Sequence, residues 1–276
     1  MKAIKEILRH VMESPARTKD GHRIFDGTAL GLHRPLNPSR QLEMKAHLRE
    51  MAQRCYGYGN WNAPYWFIGL GEAIGPNETV EERAIAWCEL EQDGLCDCRE
   101  FHFHELINDK RWHEGNAALQ RTWRPLILLL KHLLGHKTDK ESLREYQRDH
   151  WGMRNDQTCI IELFGLPAPA LKAFMALISG LFSQEEIDRI LNERIQFIRK
   201  KIIDKQPSLV VMYGYTAEEQ WQKVAGQPIL KDKAFKIGST TVLWTKHPTA
   251  HNPEGDPYWI RMANICVRTA TPLPAS

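Results

Sequence analysis

APYWFIGLGEAIG, residues 63–75, is the stretch from which the fold can be read. Its first half is a near-continuous apolar run. Its second half is a glycine turn with one carboxylate, Glu72, at the centre. A short aromatic and β-branched run without polar alternation suits a strand covered on both faces. Three later segments read the same way: QTCIIELFG (157–165), SLVVMYG (208–214) and STTVLWTKH (239–247). Helical patterns lie between them. In SQEEIDRILNERIQFIRKKIID (183–204), Ile187, Ile190, Leu191, Ile195, Ile198 and Ile202 form one stripe, Ser183 and Glu186 form a capping box, and Pro207 closes the segment. RTWRPLILLLKHLLG (121–135) is a second, well-buried helix, and Asp256-Pro257 opens a last one. Strands alternating with helices predict a three-layer α/β/α domain around a central four-stranded parallel sheet. A single domain over residues 1–276 is expected, with 1–55 a helical extension and 76–156 a helical insertion between the first two strands.

Composition bounds the function classes. Of the 276 residues, 42% are hydrophobic and 26% charged, the balance of an ordinary globular protein. No apolar run reaches the length of a membrane span, and MKAIKEILRHVMES lacks a signal-peptide core, so a cytoplasmic protein with no membrane partner is expected. A net charge of +3 neither demands nor excludes nucleic acid. The six cysteines do not suggest a disulfide framework in that compartment.

In an open parallel sheet, ligands bind beyond the carboxyl ends of the strands. Those ends deliver Gly71-Glu72-Ala73, Glu162, YGYTAEE (213–219) and KHPTAHNPEGDPYW (246–259). Glu72 reads either as a wall of a site or as the start of a helix, where a carboxylate favours the dipole. The glycines at 69, 71 and 75 do not match the dinucleotide fingerprint and no phosphate-loop lysine follows, so a nucleotide cofactor is not expected. His247, locked by Pro248, reads as an oriented donor toward developing negative charge, or as a strand-end residue. Glu162 interrupts an apolar strand, so a cationic or amine partner is expected for it. The group Cys88, Cys96, Cys98, His102 and His104 has thiol and imidazole enough for zinc, but its spacing matches no ligand pattern. An acidic helix followed by a His-rich loop is the default, and neither metal nor other cofactor is expected.

Taken together, FIGLGEAIG, CIIELFGLPAP, PSLVVMYGYTAEEQW and HPTAHNPEG resemble, in order, the motifs of the uracil-DNA glycosylase superfamily, in the branch that reads G-E-A-P-G after its first strand and H-P-S after its last. The resemblance covers about two thirds of the chain through short motifs. It implies a DNA glycosylase that hydrolyses the bond between the sugar and a flipped-out base without a metal and leaves an abasic site. Glu72 and His247 would be catalytic, and Gly71, Ala73, Glu162 and Thr249 would contact the substrate. Lys246, Pro248, His251, Asn252 and Arg261 would meet DNA, and the chain would act as a monomer. Ile74 replaces the family's proline, Thr249 its serine, and Glu162 the asparagine that reads uracil. An ionised glutamate only accepts hydrogen bonds, so it would repel O4 of uracil and accept from N4 of cytosine. A modified cytosine is therefore the expected substrate, as in the anti-phage members the chain partly resembles, with Trp87, Trp112 and Trp123 offering flat surfaces for its substituent or simply packing in the core. Uracil repair, or silent binding of DNA or a nucleotide, are the alternatives.

Overall fold

The computed structural model describes residues 38–74, 78–168 and 171–270. Residues 1–37 of the expected extension and Gly75 of the glycine turn lie outside the described residues. The chain is mixed α/β, built on a seven-stranded, mostly parallel sheet. Its strands are β1 (Gly57–Tyr58), β2 (Tyr65–Gly69), β3 (Leu95–Cys96), β4 (Thr158–Glu162), β5 (Leu209–Tyr213), β6 (Lys233–Ile237) and β7 (Thr240–Thr245), in the order β3-β1-β4-β2-β5-β7-β6. The four segments read as strands are contiguous and parallel, but the sheet has seven strands rather than four. β1 extends it antiparallel to β4, β3 runs parallel to β1, and β6 closes the other edge antiparallel to β7. β1 crosses close over β4 because Gly57 and Gly59, at φ of 125° and 102°, carry no side chain; a Cβ there would meet the Ile160 and Thr158 carbonyl oxygens at 2.1 and 2.3 Å.

The helices are α1 (Pro38–Arg54), α2 (Val80–Leu90), α3 (Cys98–Phe103), α4 (Trp123–Leu133), α5 (Lys140–Asp149), α6 (Leu171–Leu181), α7 (Gln184–Lys205), α8 (Glu218–Ala225) and α9 (Asp256–Ala270). The first of them falls in the expected extension, and the insertion holds α2 to α5. α7 begins with the Ser183–Glu186 capping box, and its whole isoleucine stripe is buried. Both faces of the sheet are covered: Trp66 packs on Trp61, which meets Phe197 of α7, while Phe67 points the other way onto Trp151. No helix among the described residues is long and apolar enough to cross a membrane.

One buried cation fixes the mouth of the sheet. Arg194, in register with the apolar stripe of α7, donates to the carbonyls of Ala52, Gln53, Cys55, Glu162 and Leu163 at 2.5–3.4 Å. It also stacks 4.3 Å from the Tyr56 ring. Five accepting carbonyls compensate a guanidinium that burial would otherwise expel. They clamp the end of α1 to the carboxyl end of β4, where the candidate site begins.

Candidate functional site

Parallel register brings the strand ends to one edge: Gly69 pairs with Glu162, and Tyr213 with Thr245. Beyond β2 and β4 the chains stay zipped, with Leu163 N–H donating to Gly69 O, Phe164 N–H to Leu70 O and Ala168 N–H to Glu72 O at 2.8–3.0 Å. That extension carries Glu72 over the mouth. It does not open a helix, since residues 71–74 are irregular and α2 starts at Val80 behind a capping box of Thr79 and Glu82.

Glu72 Oε2 accepts from the Tyr58 hydroxyl at 2.8 Å and pairs with Arg83 at 2.6 Å. Arg83 is 2% exposed; it also donates to Tyr58 at 2.9 Å, pairs with Glu78 at 2.5 Å and lies over the Phe101 ring. Burial opposes its charge, but Glu72, Tyr58 and Glu78 outweigh that penalty and raise its pKa, so the guanidinium is permanent. Tyr58 is held well above the usual phenol range by burial and by Glu72, so it stays a donor to the carboxylate.

Glu162 is the contrasting case. Its Oε2 is sealed from solvent without a hydrogen-bond partner, although the residue keeps some exposure elsewhere. Its Oε1 has one long contact, 3.5 Å from the Tyr213 hydroxyl. The expected cationic partner is not there: among the described residues no lysine or arginine pairs with this carboxyl, and Arg194 faces backbone oxygens instead. Burial first, then the charge of Glu72, push the Glu162 carboxyl well above the usual carboxylate range, and Tyr213 and Arg194 recover only part of the shift. A carboxyl that keeps its proton donates as well as accepts, whereas an ionised one only accepts. Gly69 makes this crossing geometrically possible, because a Cβ there would lie 2.3 Å from the Tyr213 hydroxyl and 2.7 Å from Glu162 Oε2.

Glu72 and Glu162 line one small cavity together with Tyr58, Trp87 and Phe164; its free space is about 10 Å³, room for about one water molecule. His247 is not among its lining residues; it meets the site through Tyr213, whose ring lies edge-on at 5.6 Å. His247 Nδ1 accepts from the Thr249 N–H at 3.2 Å and faces Thr249 Oγ1 at 2.9 Å. That places the ring proton on Nε2. Burial lowers the pKa of His247, which favours the neutral imidazole with its proton on Nε2.

The other expected residues divide. Gly71 and Ala73 are exposed beside Glu72. Lys246 bonds Asn252 at 3.0 Å and lies 3.9 Å over the Tyr258 ring, while Arg261 flanks the same ring at 5.2 Å and pairs with Glu254 at 2.7 Å. His251 is exposed. Pro248 is buried and supports the turn from below instead of facing outward. Trp87 and Trp123 belong to the core, Trp112 packs on Trp123, and of the three only Trp87 reaches the cavity. The cysteine and histidine group is also rearranged. His104 pairs with Glu89, and His102 lies on α3 rather than in a loop. Cys98 and His102 instead converge with His113, a residue outside the original grouping.

Sequence reading missed Tyr58, Arg83, Tyr213 and Arg194. Only Arg194 carried a local signal, a charged residue at a core position of an apolar stripe. No protein-family model matches the chain, and no curated protein matches it.

Proposed function

We propose that the chain is a DNA glycosylase that hydrolyses the N-glycosidic bond of a flipped-out pyrimidine. One observation carries the reading: two carboxyl groups, one paired with an arginine and one without a cation, line one cavity at the carboxyl edge of a parallel sheet, with the His247 imidazole one aromatic ring away. Glu72 has the cation, Arg83, and Glu162 has none. As the bond breaks, its electron pair goes to the base and the sugar becomes cationic. Glu72 faces the sugar; both of its bonds fall on Oε2, which leaves Oε1 to orient the attacking water. The Nε2–H of His247 stabilises the anionic base. Water adds to the sugar carbon and its proton passes to the departing base.

Neutral Glu162 presents one donor and one acceptor in a plane. That pair complements N3 and N4 of a cytosine, and equally O4 and N3–H of a uracil. The case for a modified cytosine rested on an ionised Glu162, so modified cytosine and uracil both stand as substrates, and a role in defence depends on which is cut. The aromatic and basic turn around Lys246, His251, Asn252 and Arg261 would contact DNA phosphates.

The test incubates the protein with oligonucleotides containing uracil, hydroxymethylcytosine or glucosylated hydroxymethylcytosine, then reveals abasic sites with alkali. At least one pyrimidine is excised, and Glu72→Gln lowers kcat by roughly 10²–10⁴ with the protein still folded. No excision of any of these bases, or full activity of Glu72→Gln, ends the proposal and favours a silent binding protein.

A further inference from the structure

We propose that Cys98, His102 and His113 form a binding site for one divalent ion of zinc's class. The Cys98 sulfur and one ring nitrogen of each histidine lie within 4.8 Å of one another, and all three residues are buried. Cys98 and His102 stand four apart on α3, which stacks them on one helix face, and His113 closes the triangle from just beyond a short 3₁₀ turn, Lys110–Trp112.

The cluster is compact enough for one ion to reach all three side chains. With zinc–sulfur and zinc–nitrogen bonds of about 2.3 and 2.0–2.1 Å, a tetrahedron has a sulfur–nitrogen edge of about 3.6 Å. Cys98 Sγ lies 3.6 Å from His113 Nε2, the length of such an edge. His102 Nδ1 also sits 2.7 Å from the Cys98 carbonyl. Donation to that carbonyl fixes the tautomer and bares Nε2, the arrangement in which a histidine ligates a metal. His113 Nδ1 is buried and approaches the Arg148 backbone without closing a hydrogen bond. Burial, then Glu72 and Asp97, raise the Cys98 thiol well above its ordinary range, so the sulfur holds its proton until a bound cation displaces it.

Three protein ligands leave one vertex for a small exogenous ligand. The rings of Tyr58 and Trp123, each 5.8 Å from the His102 ring, wall the cluster. The ion would pin α3 to the loop at His113 and hold Tyr58, whose hydroxyl donates to Glu72. The inference stands independently of the glycosylase reading.

Metal analysis of the full chain, grown with added zinc and purified without chelator, should give one equivalent of zinc. Cys98→Ser and His113→Gln should fall below a tenth of an equivalent, while Cys88→Ser, outside the cluster, keeps the full equivalent. Because either ligand variant could unfold, the wild-type chain supplies a second measurement. After chelator treatment it should bind one equivalent of cobalt with a near-ultraviolet thiolate-to-cobalt band that added zinc abolishes. Substoichiometric zinc in the wild type together with no such band, or full zinc retention in a folded Cys98→Ser variant, overturns the site.

Discussion

Glu162→Gln isolates the charge state on which the proposed base reading depends. The substitution keeps shape and polarity but removes the proton equilibrium. In the folded chain, burial and the neighbouring Glu72 raise the Glu162 carboxyl well above its ordinary value of 4.5. Between that value and the folded one, the native state keeps a proton that the unfolded chain releases. Stability then changes with pH as 2.303RT times the protons bound unfolded minus those bound folded, which is negative here. Wild type therefore loses about 1.4 kcal/mol for each pH unit of that window relative to Glu162→Gln. The contribution is fully present below the unfolded value, is lost as pH rises, and levels off above the folded value. Other titrating groups are common to both chains and cancel in the difference. Urea unfolding followed by fluorescence of the nine tryptophans, repeated from about pH 5 to pH 8, gives that difference directly. Repeating the pair in a Glu72→Gln background should narrow the window, because one cause of the shift is gone. A stability difference independent of pH would refute the neutral Glu162 and restore an acceptor-only reader.

The same charge assignment predicts that Glu162→Gln, a donor and acceptor like the protonated acid, keeps base excision, whereas Glu162→Ala loses it; excision assays on the two variants decide. His247→Ala should lower kcat by roughly 10²–10³ with little change in KM, and because burial lowers the pKa of His247 the wild-type rate should show no inflection from this ring at the ordinary histidine value of 6.5. Gly69→Ala forces a Cβ to 2.3 Å from the Tyr213 hydroxyl, so it should cost about 1–3 kcal/mol in urea unfolding and impair excision together. Arg194→Met leaves five carbonyls at the β4 end without their donor and should cost on the order of 3 kcal/mol or more by the same measurement.

The parallel strands were legible because each is buried on both faces, and continuous apolar runs such as TCIIE and LVVMY encode that burial locally. The remaining strands were not. β1 and β3 are two residues long, too short for any period, and β6 reads KAFKI, with lysines at a half-exposed edge. Glu72, Glu162 and His247 could be placed because a strand end is a sequence position. Tyr58 and Arg83 join them only through pairing between distant segments, which leaves no spacing to read, and Tyr213, although it ends its own strand, gains its role from Glu162 two strands away. The convergence of His113 with Cys98 and His102 was hidden for the same reason, since it depends on how the loop after α3 folds back.

Charge states are further from the sequence than positions. Both Glu72 and Glu162 follow apolar strands, and nothing local distinguishes them. The difference is that Arg83, on α2, reaches Glu72 at 2.6 Å, while the other buried arginine near the mouth, Arg194, spends its donors on backbone oxygens. With one available cation for two neighbouring carboxyl groups, the unpaired one is pushed well above the usual carboxylate range by burial and by its neighbour. Each state sustains the other. The charge on Glu72 raises Glu162, and a protonated Glu162 leaves Glu72 without a second negative charge beside the cationic sugar it would stabilise. Moving the cation should therefore exchange the roles. With Arg83 replaced by Met, Glu72 loses its salt bridge and the electrostatic ground for keeping Glu162 the protonated partner weakens. The wild-type pH dependence of the Glu162→Gln comparison should then shrink, even though Arg83 touches neither Glu162 nor Tyr213.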